Sequence, residues 1–396
     1  MKACFLFALG LLATLSPAAA EAAKYHVLYS FTGDADGGNP GPVVVRDAAG
    51  NLYGTTMNGG AHGLGTVFRL TRDGAESIVF DFADAAKQGK TPYTLSLDRG
   101  DLYGTTQVGG KVSTKHCNVL GCGVVFKLST TGTFTRIRRL HGSLEGAMPA
   151  GSVVSRSDGQ VYGTASIGGT NGNGIAYSVS NGTMTVLHNF GSALEDGQGP
   201  ETGLIRDRSG NLYGTTHGGG GGIIDGGTLF KIDANNVYSV LHAFNDMDKG
   251  FVPSGVIVDE AGNFYGTTIF GGANQLGTIY KMTPDGTETL LYSFTGGPDG
   301  SYPIGRLVRD IAGNLYGETS EGGKKAATCE HGCGSIFRLD TAGTLTTLYR
   351  FEAFNPNGLS SQLAMDKKGR LYGTAGGGNT SPHCPLACGV VFELDP

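Results

Sequence analysis

The sequence predicts an all-β chain folded as a seven-bladed β-propeller with four antiparallel strands per blade. Three observations carry that expectation. The motif Leu52-Tyr53-Gly54-Thr55-Thr56 returns six more times, around Tyr103, Tyr162, Tyr213, Tyr265, Tyr316 and Tyr372, at spacings of 50, 59, 51, 52, 51 and 56 residues. A fixed period in that range marks a repeat array whose units bury surface against their neighbours. Each copy sits among four short β-branched or aromatic runs bounded by Gly, Asp and Asn, the signature of strand–turn–strand units. The two ends of the chain also complement one another. The last unit lacks a fourth strand, and the run 24–31 lies outside any unit yet resembles the fourth-strand runs Leu290–Phe294 and Leu348–Phe351. The N-terminal run is therefore expected to complete the last blade and close the ring, leaving no exposed sheet edge.

Within the first unit, 42–46 is the first run, Asp47-Ala48-Ala49-Gly50 a turn, and 51–56 the second run. A Gly-rich loop from Asn58 to Gly63 follows, then 66–70, the tight Asp73-Gly74 turn and 77–80. A unit of about 50 residues cannot cover both faces of its own sheet, so stacking in a ring is favoured over separate small domains. No amphipathic helix is apparent.

Glycine is abundant, 69 of 396 residues, but falls at repeated turn positions with no collagen period, and 39% hydrophobic residues suffice for a core. Residues 1–20 read as a signal peptide, with Lys2 as the positive start, Cys4 to Leu15 apolar and Ala18-Ala19-Ala20 before the cut; cleavage as late as 23 is an alternative. Export, periplasmic or extracellular, is the expectation, and residues 24–396 form one propeller domain. The net charge of −5, without a basic stripe, argues against nucleic acid. No further apolar run reaches membrane-spanning length. A monomer is expected.

In a propeller, loops between strands 2 and 3 share one face with the crossings from strand 4 to the next blade. Loops 1–2 and 3–4 occupy the other. Here the second set is uniformly short and the first is long and varied, so chemical variety is expected on one face. The run Leu-Tyr-Gly-Thr-Thr…Gly-Gly…Gly-Thr-Val-Phe-Arg-Leu…Asp-Gly resembles the GloVer tandem repeat of bacterial exported and surface proteins, across essentially all of residues 24–396. The resemblance implies no particular catalytic residues. Members of that family are often followed by an autotransporter or other anchoring domain, and none is expected within this chain, which stops at its last unit.

Six cysteines form three close pairs in 2–3 loops: Cys117 with Cys122, Cys329 with Cys333, and Cys384 with Cys388. In an oxidising compartment these read as local disulfides that hold loops in one shape. His116, His331 and His383 lie beside them, but each loop offers at most three zinc ligands, so no metal site is assigned. The crossings carry acids beside glycine, Asp36, Glu145, Asp196, Asp248 and Asp299, which could ring the channel mouth and hold Ca²⁺ or a basic ligand. The competing reading is turn chemistry. His217, at the start of a Gly-rich loop, is the remaining ligand-site candidate. Asp47, Asp207, Asp259, Asp310 and Asp366 recur six residues before their tyrosines and read as turn formers; Pro40, Pro149, Pro200 and Pro303 read as structural at the start of strand 1. Trp is absent, which weighs against quinone-cofactor and many sugar-binding propellers.

The expected function is an exported, non-catalytic binding propeller, using the variable face for a carbohydrate or protein ligand, with no cofactor. The alternatives are a hydrolase or lyase at the channel mouth, and a structural surface protein. A pocket on the variable face lined by residues found in single blades, His with Asp or Glu among them, would favour the enzyme.

Overall fold

A computed structural model describes residues 23–112, 117, 120–149, 151–156, 158–326, 329–352, 362–382, 384–385 and 387–396. Seven antiparallel blade sheets follow one another round a ring, with one further short pair, Gly197–Gln198 against Gly218–Gly219. Blade 1 is built from Val45–Arg46, Leu52–Asn58, Thr66–Leu70 and Glu76–Asp81, and blade 2 from Lys90–Asp98, Asp101–Val108, Val124–Ser129 and Phe134–Arg139. Blades 3 to 6 repeat the plan. Blade 7 consists of Ala364–Met365, Leu371–Ala375 and Val390–Asp395, and its fourth strand is Lys24–Ser30. That strand pairs in register from Lys24↔Asp395 to Ser30↔Val390, and the amide of Phe31 continues the ladder to Gly389 O at 3.0 Å. The expected closure is thus present. Among the described residues the one helical piece is a single 3₁₀ turn, Ser143–Glu145.

The core is not central. Seven hydrophobic clusters lie between adjacent blades, each built round one fully buried ring from strand 3: Phe68, Phe126, Tyr177, Phe230, Tyr280, Phe337 or Phe392. The repeat motif explains itself against those rings. Gly54 pairs with Phe68, and a Cβ on Gly54 would lie 2.4 Å from the Phe68 ring, so only glycine lets the aromatic side chain fold over strand 2. Thr55 donates to Tyr93 O of the next blade at 3.1 Å, and Thr374 donates to Gly41 O at 2.9 Å, stitching neighbouring blades. Thr56 closes the top of the sheet through Thr66 at 2.8 Å.

Two further repeats fix the blades to one another. The proline at the start of strand 1 rests on the glycine before strand 3 of the preceding blade, as Pro149 on Gly123, Pro200 on Gly174 and Pro303 on Gly277. At the outer rim, stacked rings bridge fourth strands, Phe80 with Phe134 at 4.7 Å, His188 with Tyr238 at 3.5 Å, and Tyr25 with Tyr349 at 3.9 Å. The last of these fastens the closing strand to blade 6 as well as to blade 7.

Candidate ligand site

Strand 1 of every blade lines the central channel. Register identifies one equivalent position in each, because Val45, Ser96, Val154, Ile205, Ile257, Val308 and Ala364 all pair with their repeat tyrosine. Two residues upstream of these stand Val43, Thr94, Ser152, Gly203, Gly255, Arg306 and Gln362, and all seven line one 350 Å³ cavity. Four of them, Val43, Ser152, Arg306 and Gln362, also line a 400 Å³ cavity running on towards the other face. This tier is therefore the waist of the channel. The strand ladder is interrupted just here, between Pro253 and Val256 in blade 5 and between Ile304 and Val308 in blade 6, which turns the intervening residues inward.

Arg306 is the charged member of the tier. Its Nη2 donates to Gly203 O of blade 4 at 3.0 Å. Its Nε is sealed from solvent without a partner among the described residues, although part of the side chain still faces the lumen. Burial lowers its pKa to about 10, so the guanidinium stays charged at neutral pH.

Above the waist the cavity widens to the variable face. Its rim carries Gln107, Met148, Ser166, Glu201, His217 and Ile269; Gln107, Ser166, His217 and Ile269 share one repeat position, four residues after the tyrosine of blades 2 to 5, and differ in each. His217 Nδ1 lies 3.6 Å from Glu201 Oε2, both more than half exposed. Beside the rim, Ile269, Phe270, Tyr302, Ser320, Glu321 and His331 line an open depression. Sequence reasoning singled out His217 but missed Glu201, Arg306 and Gln107. The signal for Arg306 was available: it occupies a position, ten residues before the repeat tyrosine, where other blades carry Val43, Ser152, Gly203, Gly255 or Gln362.

The five crossing acids do not meet at the mouth. None lines the cavity, and among the described residues no three His, Cys, Asp or Glu side chains group as a metal site. Asp36 is consumed locally, accepting from Tyr29 OH at 3.0 Å, Thr32 N at 2.8 Å and the Thr32 hydroxyl at 2.5 Å. Asp299 repeats this with Tyr292 and Thr295. Asp196 accepts from Tyr238 OH at 2.7 Å, from the Ser192 amide and hydroxyl, and lies 3.0 Å from His188 Nε2. Burial pushes Asp196 up, but those donors outweigh it and hold the carboxyl well below the usual range. Glu145 pairs with Arg138 at 2.5 Å, and Asp248 is exposed on its turn. The glycine beside Asp36 has its own reason. A Cβ at Gly37 (φ +89°) would lie 2.0 Å from the Thr56 hydroxyl, so the crossing lies directly on the top of strand 2. Aspartate caps the turn and glycine permits the contact, which is turn chemistry.

All three disulfides are formed, Cys117–Cys122, Cys329–Cys333 and Cys384–Cys388. They are buried under the crossings rather than held at loop tips, with both sulfurs of the last pair against Gly33. Leu276 fills the corresponding space beneath Gly296. His116 and His383 lie outside the described residues. No described helix is long and apolar enough to cross a membrane.

The sequence profile of the family described as the Gloeobacter/Verrucomicrobia repeat matches residues 7–224 and 207–396. Among curated proteins, none matches. Solved structures with a similar fold include virginiamycin B lyase from Staphylococcus aureus, at TM-score 0.60 and 11% identity, covering 94% of this chain and 99% of that one. A gluconolactonase from Xanthomonas campestris aligns at TM-score 0.45 and 13% identity, over 94% and 89%.

Proposed function

This chain belongs to the Gloeobacter/Verrucomicrobia repeat family, and on that premise we propose that it is an exported binding propeller whose site is the upper mouth of the central channel, with a small carbohydrate as ligand. One observation carries the reading. A ring built from seven near-identical units encloses a 350 Å³ cavity whose lining differs in every blade. Folding does not require that variety, since the repeated motif residues already stabilise each blade. The volume suits a ligand of one or two sugar rings. Apolar walls at Val43, Met148, Ile269 and Ile304 offer surfaces for C–H faces. Gln107, Ser152, Ser166, Ser254 and Gln362 offer donors and acceptors for hydroxyls. Export is supported by the apolar leader in residues 1–20 and by three disulfides, which persist in oxidising compartments.

Titration of the mature chain against neutral and acidic mono- and disaccharides is expected to give saturable one-to-one binding that Gln107→Ala weakens. Binding untouched by mouth substitutions would move the site elsewhere and end this reading.

A second reading, a hydrolase or lyase, is favoured by His217 with Glu201 at 3.6 Å on the rim. Imidazole beside carboxylate is the pairing used for proton transfer. The likeness to virginiamycin B lyase is one of fold and adds no chemistry. Slow conversion of a bound saccharide that His217→Ala abolishes while binding persists would select this reading; a ligand recovered unchanged after long incubation would exclude it.

A further inference from the structure

The waist tier holds one cation in an otherwise neutral ring. Six of its members are Val43, Thr94, Ser152, Gly203, Gly255 and Gln362, and the seventh is Arg306. Among the described residues its guanidinium makes one hydrogen bond, to Gly203 O, and no ion pair. After residue 22, none of the positions outside the described set is Asp or Glu, so no carboxylate of the chain is hidden there. Some other arginines do have carboxylate partners, Arg370 in Asp366 at 2.7 Å and Glu393 at 3.0 Å, and Arg138 in Glu145.

A buried cation without a counter-ion costs stability, and a neutral side chain of similar size would fill the waist more cheaply. Its side chain spans to blade 4, where Gly203 at the same tier offers its carbonyl. A guanidinium offers five donors in a planar fork that matches a carboxylate. With one donor engaged, the fork remains available to an anion entering from the mouth. The hydroxyl of Ser254 accepts from Gly305 N at 2.9 Å, which leaves its proton to donate into the same cavity.

We propose that the channel waist is a carboxylate subsite, with Arg306 holding the acid group of a small hydroxylated carboxylate of the sugar-acid class while the mouth binds its hydroxyls. This rests on the channel reading above. The chain's net charge of −5 gives no long-range attraction to an anion, so selectivity comes from the short-range fork at the waist.

Isothermal titration of the mature chain with D-galacturonate, D-gluconate, D-galactose and inorganic phosphate tests it. At least one sugar acid is expected to bind about tenfold or more tighter than galactose, the size expected for hydrogen bonds to a charged group. R306Q is expected to erase that preference, so that the acids bind no tighter than galactose does to the same variant, and to melt no lower than the native chain. R306K, which keeps the charge without the fork, is expected to retain only part of the preference, and it serves as the test should R306Q fail to fold. The proposal is overturned if acid and neutral sugar bind alike, if the preference survives in the Arg306 variants, if phosphate is preferred, or if neither acid binds. Galactose binding weakened by Gln107→Ala with no advantage for the acids would leave the channel reading standing and this one fallen. Loss of all sugar binding would remove both.

Discussion

On the lower face, five blades repeat one clamp. Asp47 accepts from the Asn51 amide at 2.8 Å, from Asn51 Nδ2 at 2.7 Å and from Tyr53 OH at 3.3 Å. Asp207, Asp259 and Asp310 do the same with their own Asn and Tyr, and Asp366 does so with Arg370 and Tyr372. On the upper face, by contrast, the blades share their glycines, threonines and prolines, but the residues above that framework differ in every blade. Repetition on one face and variety on the other divide the labour within each unit. The same strand-1 segment that ends in a turn at the bottom lines the channel at its top with residues that vary between blades.

That division can be broken most severely by opening the ring, because both faces depend on closure. Deleting residues 24–31 removes a strand together with Tyr25 and the fully buried Phe31. It is expected to cost more than about 5 kcal/mol in urea unfolding. Native-like melting of that deletion would refute closure as the organising contact. Next comes the lower face alone. Asp310→Ala should cost about 1–3 kcal/mol, since an amide, an Asn and a Tyr lose their acceptor. The same change at Asp47, Asp207 and Asp310 together should be additive, because the sites share no partners. Sugar binding should not change, and a loss of affinity would couple the faces that are held here to be independent.

Acid probes the same clamps. In each, burial pushes the carboxyl up but the donors outweigh it, so the folded pKa is lowered. A group lowered on folding adds stability that is full above its unfolded value, about 4, and is lost as pH falls below that towards the folded value. Melting temperature is therefore expected to hold from pH 6 to about pH 4 and then fall. A profile flat to pH 2 would show that the clamps contribute nothing. Removing any one disulfide should have an effect no larger than losing one clamp. Loops of about five residues give about 2 kcal/mol apiece in the loop-closure picture. Faster amide exchange is expected around Cys122, Cys333 and Cys388, with little elsewhere; uniform exchange would mean a global role. Least of all, His217→Ala and Glu201→Gln should stay within about 0.5 kcal/mol of native stability, as exposed residues do. Their effect should appear in ligand affinity, and a large drop in melting temperature would make the pair structural.

What could be read in the sequence divides along the same line. Strand pattern, turn aspartates, cysteine pairs and the closing strand were legible because each obeys local rules, and most are repeated several times. The crossing acids misled for a related reason. Aspartate beside glycine caps a turn and also coordinates cations, and only the contacts of Asp36, Asp196 and Asp299 show that their oxygens are already engaged. Aligning the repeats sets Arg306 apart at its position but does not say what it reaches. Its meaning depends on its reach to Gly203 O, 103 residues away in sequence and two blades distant in the ring.

The pairing of Lys24–Ser30 with Val390–Asp395 has a consequence in time. A chain delivered from its N-terminus presents first the strand that must be used last, since its partner is synthesised at the far end. Blades 1 to 6 can form as neighbours arrive, yet no intermediate has a closed circumference, and the waist has no fixed diameter until the final hairpin docks. Such long-range closure makes for slow, late-committing folding. Docking of that strand then converts an open arc of sheets into a ring with a defined channel.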